Sequence, residues 1–377
     1  MKRLVGFAFV SSLAATTAVA ASGCELFTHP GDFEVDAGVP FKGFCNECDA
    51  GEGELDRPPC PGDGTGDDGL VHVYAARRLR FGKPTDWRGK NAESFHLGFD
   101  RDCSTRPKGT PALCKLSVPD AGPMPPWEAL PHGIDSSLTQ RIFGPLYDLA
   151  ATAHRDIDLD AEFSKRDAEG LEGVILTVDG WNGEENDDHV KFNLFSSPGL
   201  SRSNGPIRWD GTDSWDRYPD GPGVENYFRI VDATGYVASG VMVLDLRPRG
   251  DVNLRFGSIY NSFRLTVHEV VFAGKLSKDK LEGLTMSALA DVDSALESVD
   301  EAKQVLSACD PLAEAYLGAN LPPLLIGAAD MPSDRSNRPD APCDAVSFAF
   351  AIDAESALLG GRRNAPKETP DAGCNGP

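Results

Sequence analysis

Carboxylate and amide side chains are concentrated in the turn that follows the apolar run 174–178. Carboxylate, amide and backbone carbonyl oxygens are the ligands that Ca²⁺ prefers in proteins, with about six to eight of them in its shell. Four of the side chains in this turn are the candidate ligands, Asp179, Asn182, Asp187 and Asp188. Their spacing is not that of an EF-hand loop, because Trp181 occupies the third ligand position. The pattern predicts a calcium site of another kind.

Three of the five tryptophans lie in this turn and in the polar segment that follows the next apolar run. Tryptophan faces stack on the C–H surfaces of sugars, and nearby carboxylates accept hydrogen bonds from sugar hydroxyls. A saccharide site would use Trp181, Trp209, Trp215, Asp210, Asp213 and Asp216. The structural interpretation competes with both sites and is favoured, because Asp, Asn and Gly form ordinary turns and tryptophan packs in cores.

Sequence signatures of enzymes are scarce in this chain. It contains neither a Gly-x-Ser-x-Gly nucleophile motif nor a phosphate-binding loop that ends in Gly-Lys-Ser/Thr. Two carboxylates could still hydrolyse a glycosidic bond, because 58 acidic residues offer many pairs. We therefore assign no catalytic residue and expect a protein that is not an enzyme, with a secreted polysaccharide hydrolase as the alternative.

Residues 1–23 have the organisation of a signal peptide. Lys2 and Arg3 form a positively charged start, an apolar run follows, and small residues lead to Cys24. The apolar run ends at the cysteine and is followed by polar sequence, which is typical of a signal peptide and not of a retained membrane span. Ordinary secretory cleavage after Ala20 and cleavage directly before Cys24 are both consistent with the small residues.

The sequence Ala21-Ser22-Gly23-Cys24 resembles the lipobox of bacterial lipoproteins. Ser22 and Gly23 match the family pattern, whereas Ala21 stands where Leu is usual. The resemblance implies that Cys24 carries the lipid, and several acyl chains anchor a protein firmly to a membrane. In that family, Glu25 after the cysteine is compatible with export to the outer membrane.

Nine cysteines indicate an oxidising compartment. If Cys24 is lipidated, eight remain, and all eight can pair. Two pairings are suggested by position, Cys103 with Cys114 across a short loop and Cys309 with Cys343 between a predicted helix and a predicted strand, although spacing does not establish connectivity. The candidates for disulfide bonds are Cys45, Cys48, Cys60, Cys103, Cys114, Cys309, Cys343 and Cys374.

The formal net charge of −22 limits the possible partners. An acidic surface repels the phosphate backbone, so we expect no nucleic acid partner. The same surface attracts cations. The length of 377 residues and the hydrophobic content of 41% are sufficient for a substantial core.

Short runs of alternating apolar and polar residues predict strands, separated by turn-forming residues. The segments 227–231 and 236–246 are predicted as two strands around a turn at 232–235. The spacing of the strands favours a mainly β fold, an antiparallel β-sandwich of jelly-roll type. The other predicted strands are 71–75, 174–178, 190–195, 252–256, 263–267 and 346–352.

Helical spacing of apolar residues adds two helices to this fold. A shorter helix is predicted at about 136–153, where apolar residues recur every three or four positions. A long amphipathic helix is predicted at about 280–307. Its apolar face would consist of Leu281, Leu284, Ala288, Val292, Leu296, Val299, Ala302 and Leu306.

Four segments follow from these patterns: the signal peptide 1–23, an acidic Gly/Pro-rich tether with cysteines at 24–69, the β-sandwich domain with a helical insertion at 70–360, and a polar tail at 361–377. The body resembles uncharacterised acidic, cysteine-bearing surface lipoproteins of Gram-negative bacteria, a resemblance that implies no activity. We expect a lipid-anchored cell-envelope protein, periplasmic or surface-exposed at the outer membrane. Its role would be structural, or binding of calcium, a saccharide or another envelope protein.

Overall fold

The computed structural model describes nine stretches of the chain. The predicted signal peptide, most of the predicted tether, the predicted helix at about 136–153 and most of the polar tail lie outside them. The described stretches are 66–80, 114–115, 158–201, 205–219, 229–246, 250–257, 262–306, 321–334 and 340–364.

Strands dominate these stretches, together with three helices. No described helix has the length and apolar character that a bilayer-spanning helix needs. The strands are β1 (Val71–Arg80), β2 (Gly173–Asp179), β3 (Asp187–Ser197), β4 (Ser214–Arg217), β5 (Arg229–Ala238), β6 (Val241–Asp245), β7 (Val252–Gly257), β8 (Ser262–Leu276), β9 (Lys280–Asp291), β10 (Ala345–Ser356) and β11 (Leu358–Arg362). The helices are α1 (Leu159–Ala168), α2 (Val292–Leu306) and α3 (Leu321–Ala328).

Eight antiparallel strands close into a barrel, in the order β6-β5-β3-β2-β1-β10-β9-β8. The circle is completed by β6 and β8, where Val241 pairs with Lys275 and Asp245 pairs with Val271. The strand β7 pairs with the first part of β8, and β11 pairs with β4 in a separate parallel ladder. The predicted β-sandwich is therefore wrong. Alternation of apolar and polar residues is common to both architectures, and only the long-range pairing of β6 with β8 distinguishes them.

The interior of the barrel is a packed apolar core. Alternate residues of the barrel strands point inwards into one cluster of buried side chains, to which α2 and α3 also contribute. Phe192 on β3 and Phe272 on β8 meet across the barrel, with ring centroids 6.0 Å apart. Complete burial of such a side chain stabilises the fold by about 1.5–3 kcal/mol. Side chains fill the interior of an eight-stranded barrel, as its diameter permits.

The first half of the predicted long helix is a strand, since β9 occupies Lys280–Asp291 and the helix begins only at Val292. Leu284, Ala288 and Val292 are four positions apart, a spacing that fits one face of a helix and equally one face of a strand. Met286 and Ala290, which also point into the core, complete the period of two. The helical spacing of apolar residues was therefore not sufficient to assign this segment correctly.

The predicted turn at 232–235 lies inside β5. The chain turns instead at Ser239 and Gly240, whose φ angles are +51° and +75°. Two successive positive φ angles are typical of the tight turns that join antiparallel strands. Gly235 is needed for a different reason, because a Cβ atom there would lie 2.4 Å from the carbonyl oxygen of Val243 on β6.

A disulfide bond joins Cys114 to Cys343. It replaces both pairings suggested by position, Cys103 with Cys114 and Cys309 with Cys343, and Cys103 and Cys309 themselves lie outside the described residues. Lys115 forms an isolated bridge to Pro342, with its amide donating to the carbonyl of Ala341. The bond thus holds Cys114 and Lys115 against the residues that precede β10.

Candidate functional site

The two predicted sites lie in segments that leave β2 and β3. These strands pair in antiparallel register from Gly173 opposite Ser197 to Asp179 opposite Lys191. Their regular ladder fixes the positions at which the loop 180–186 begins and ends. The second polar segment, 198–213, leaves the other end of β3 and leads into β4.

Asp187 closes the first loop and is 1% exposed. Its Oδ2 accepts a hydrogen bond from the backbone amide of Asn182 at 2.7 Å, and its Oδ1 accepts one from the amide of His189 at 3.0 Å. The Asn182 side chain donates to the carbonyl of Asn186 at 2.8 Å and accepts from the amide of Glu184 at 2.8 Å. These two side chains thus satisfy the backbone of their own loop, as Asn and Asp commonly do in turns.

The other two predicted calcium ligands do not complete a cage. Asp179 belongs to the ladder at the end of β2, and Asp188 is exposed at the start of β3. Within the described stretches, no three His, Cys, Asp or Glu side chains are grouped so that they could hold a metal ion. The calcium site stays a prediction that this geometry does not favour.

Trp181 packs inside the end of the barrel. The residue is 3% exposed, and its indole Nε1 donates to the carbonyl of Glu184 at 2.9 Å. The imidazole of His72 lies edge-on against it, with ring centroids 4.9 Å apart. A ring enclosed in this way has no free face for a sugar, and Trp181 belongs to the interior cluster of the barrel.

Asp68 and His72 complete this end of the barrel, and sequence analysis did not single them out. The Nε2 atom of His72 lies 3.0 Å from Oδ2 of Asp68, and the backbone amide of Asp68 donates to the carbonyl of Trp181 at 3.1 Å. The pair fastens residues 66–70 to the loop between β2 and β3. No sequence motif predicts this pair, because the contact depends on where the segment before β1 lies in the folded chain.

Trp209 and Trp215 form a second cluster, on the outer face of the barrel. Trp215 on β4 is completely buried against Ala75 and Ile175, the outward-facing residues of β1 and β2. Trp209 packs on the same cluster but is only partly buried, with its ring centroid 5.6 Å from that of Trp215. The structure therefore brings two of the three predicted tryptophans together and places Trp181 elsewhere.

Two of the three predicted carboxylates beside these rings are buried and accept hydrogen bonds from backbone amides. Asp213 is 3% exposed, and its Oδ2 accepts hydrogen bonds from the amides of Arg208 at 2.9 Å and Trp209 at 2.6 Å. Asp216 accepts from the Ser201 hydroxyl and from the amide of Gly361 at 3.1 Å. Asp213 therefore shapes the loop, and Asp216 holds the strand β11 against β4.

Asp210 is the exposed carboxylate of the three. Its Oδ1 accepts hydrogen bonds from the Thr212 hydroxyl at 2.5 Å and the Thr212 amide at 3.0 Å. The bond from the hydroxyl, followed by that from the amide, lowers the pKa of Asp210. The group therefore carries its negative charge at neutral pH.

Arg77 joins this cluster from β1, and sequence analysis did not identify it. Its guanidinium carbon lies 5.6 Å from the centroid of Trp209, a geometry in which the cation is attracted to the ring. Its Nη1 donates to Oε1 of Glu355 on β10 at 3.1 Å. An alternating strand gives no sign that one of its arginines will lie over an aromatic ring from a distant loop.

The chain shows no match to any protein-family model, to any curated protein or to any solved structure.

Proposed function

We propose that this protein is a lipid-anchored module of the bacterial cell envelope, located at the outer membrane, which acts by binding at its surface and has no catalytic activity. The anchor is the thiol of Cys24, and the globular body is the closed barrel. The observation that carries the binding role is the packed interior of that barrel.

The packed interior supports a surface role because it directs any ligand to the loops and to the outer face. Barrels that bind a small ligand centrally hold it inside the strands, where polar groups fix its orientation. Here the corresponding positions are apolar and in mutual contact, and Phe192 meets Phe272 across the interior. The exposed aromatic group beside Asp210 is the best remaining candidate for contact with a ligand.

The anchor and the export route are supported by features that agree with one another. The segment before Cys24 has the order of a lipoprotein signal, and the chain carries eight further cysteines. The bond between Cys114 and Cys343 is of the kind that persists in an oxidising compartment. A net charge of −22 is unsuited to a nucleic acid partner.

The anchoring is tested by expressing the full precursor in a Gram-negative host that is fed an alkyne-labelled fatty acid. The wild-type chain should take up the label and sediment with the outer membrane, whereas Cys24→Ser should be unlabelled and leave that fraction. Cys45→Ser is the matched control and should behave like the wild type. Equal labelling of Cys24→Ser and wild type, or none in either, would contradict the anchor.

The binding role is tested on the purified chain by thermal unfolding. A ligand that binds only the native state raises Tm. Envelope polysaccharides should raise Tm without being cleaved. Release of reducing sugar from any of them, abolished by replacing a single acidic residue, would replace the binding role with that of a hydrolase.

A further inference from the structure

Trp209 is held at the surface in a conformation that a bulky residue rarely adopts. Its φ angle is +57°, in the left-handed region. For a bulky non-glycine residue this conformation is rare and persists only where the surroundings impose it. Here the buried carboxylate of Asp213 imposes it by accepting the amides of Arg208 and Trp209 together.

The ring of Trp209 has a rigid support beneath it. Trp215 is completely buried, and the two rings are inclined by 40° with centroids 5.6 Å apart. Gly211 continues the loop with φ +83° and lies so close to β10 that a Cβ atom would come within 2.7 Å of the Ser356 hydroxyl. An aromatic ring that is partly exposed and fixed from below can serve as a stacking surface without further ordering.

The guanidinium of Arg77 has hydrogen-bonding capacity left over. Its side chain is 50% exposed, and Glu355 takes only Nη1. Arginine presents a planar fork that binds a carboxylate through two parallel hydrogen bonds. Arg208, next to Trp209, is also exposed, and its charge interacts with that of Asp210. The two arginines, Glu355 and Asp210 together form a charged spot beside the partly exposed ring of Trp209.

Asp210 adds an acceptor to the same spot. Both hydrogen bonds that it receives from Thr212 go to Oδ1, and Oδ2 receives none from the described residues. An ionised carboxylate beside an aromatic ring accepts hydrogen bonds from hydroxyl groups. The spot therefore offers a stacking ring, an unfilled arginine fork and a hydroxyl acceptor within one short stretch of surface.

We propose that Trp209, Arg77 and Asp210 form a binding site for an acidic saccharide, a sugar that carries a carboxylate. The sugar packs on the part of the Trp209 indole that Arg77 and Trp215 leave exposed, the sugar carboxylate binds the guanidinium donors of Arg77 that Glu355 does not take, and sugar hydroxyls donate to Asp210. A neutral sugar would leave the remaining donors of the Arg77 guanidinium without a carboxylate. This inference rests on the proposed surface-binding role and adds the ligand class.

The test uses oligomers of galacturonic acid and the same oligomers with every carboxylate methyl-esterified, titrated into the purified full-length chain by calorimetry. The two probes share the same sugar rings and hydroxyl groups, and in the second a neutral methyl ester replaces each carboxylate. A charge-assisted hydrogen bond contributes about 1.5–3 kcal/mol, so the esterified oligomer should bind about ten- to hundredfold more weakly. Added salt should weaken binding of the acid form only.

Arg77→Gln should remove the preference for the acid form, so that both probes bind equally weakly. Arg78→Gln is the matched control, because Arg78 is the neighbouring exposed arginine of the same strand. It should bind like the wild type. Trp209→Ala should abolish binding of both probes. If Trp209→Ala does not fold, the test rests on Arg77→Gln, whose Tm should lie within a few degrees of the wild type.

Three results would overturn the inference: no binding of the acid oligomer, equal affinity of the wild type for the two probes, or an unchanged preference in Arg77→Gln. None of them bears on lipid labelling of Cys24. If Cys24 takes up the fatty-acid label but the chain does not bind acidic oligomers, only the proposed ligand class is wrong. If Cys24 is not labelled, the proposed anchoring is wrong.

Discussion

Asp353 contacts Arg80 through both carboxylate oxygens, with Nη2 donating to Oδ1 at 3.1 Å and Nε 3.0 Å from Oδ2. The same Oδ1 accepts a hydrogen bond from the amide of Gly283 on β9 at 2.9 Å. The register of β1 against β10 shifts between Ala76 and Arg78, next to this contact. One carboxylate thus ties three neighbouring barrel strands together where their pairing is irregular.

Replacing that carboxylate should destabilise the barrel. We expect Asp353→Ala to lower the free energy of unfolding by about 1–3 kcal/mol, because it leaves an arginine and a backbone amide without their acceptor. Glu355→Ala is the comparison, since the exposed pair of Glu355 with Arg77 should contribute only about 0–1 kcal/mol. Denaturation in urea measures both. Equal losses in the two variants would show that Asp353 does not fix the register.

Asp187 should matter for folding and its neighbour should not. Asp187→Ala removes the acceptor of two loop amides in a buried position, so we expect a loss of about 1–3 kcal/mol in the free energy of unfolding. Asp188→Ala alters an exposed side chain one position further and should change stability by less than about 0.5 kcal/mol. Calcium titration of the same samples separates the two interpretations of the loop. A large rise in Tm of the wild type with calcium, absent from both variants, would support the predicted calcium site.

The bond between Cys114 and Cys343 spans 229 residues of sequence. Closing a long loop stabilises the native state by about 2–4 kcal/mol, mainly by restricting the unfolded chain. Replacing both cysteines by serine should lower Tm in non-reducing buffer. Adding a reductant should lower the Tm of the wild type more than the Tm of the double variant. Any fall in the Tm of the double variant comes from reduction of other disulfide bonds. An equal response in both proteins would argue against this pairing.

Asp291 gives the stability of the fold a specific dependence on pH. Burial raises the pKa of Asp291, and the imidazole of His268, with Nε2 3.8 Å from Oδ1, opposes that rise. A carboxyl group with a raised native pKa contributes stability below its ordinary value of 3.8 and loses it as the pH rises through the native value. The ionised form is therefore the unfavourable one in the native state.

Asp291→Asn should accordingly unfold at a higher temperature than the wild type at pH 7, because asparagine does not ionise. The difference in Tm should shrink towards zero as the pH approaches 3.8. Thermal unfolding followed by circular dichroism across this range measures it. A variant less stable than the wild type at pH 7 would show that the attraction between His268 and the carboxylate outweighs the effect of burial.

Strand positions were predictable from local alternation, whereas barrel closure was not. The segments 71–75, 174–178 and 190–195 lie within β1, β2 and β3. Buried residues alternate along 190–195, whereas 174–178 is a short apolar run that is buried on both faces. Closure depends on the pairing of Val241 with Lys275 between β6 and β8. The residue pattern of neither segment predicts that pairing. The helix predicted from position 280 failed because a spacing of four fits both periods.

The candidate site was predictable only in part, for a similar reason. Sequence analysis selected Trp209 and Asp210 from their residue types and their neighbourhood. It could not separate Trp209 from Trp181, because burial decides which ring has a free surface and burial is set by tertiary packing. Arg77 was missed because its role arises from the register of β1 beside a loop that lies far away in sequence.

The most direct test of anchoring is the intact mass of the mature protein extracted from membranes. The account predicts a chain that begins at Cys24, with the added mass of a diacylglyceryl group and an amide-linked acyl chain, and fragment ions that place both on that residue. A mature chain with an unmodified Cys24, or one cut after Ala20, would contradict the account.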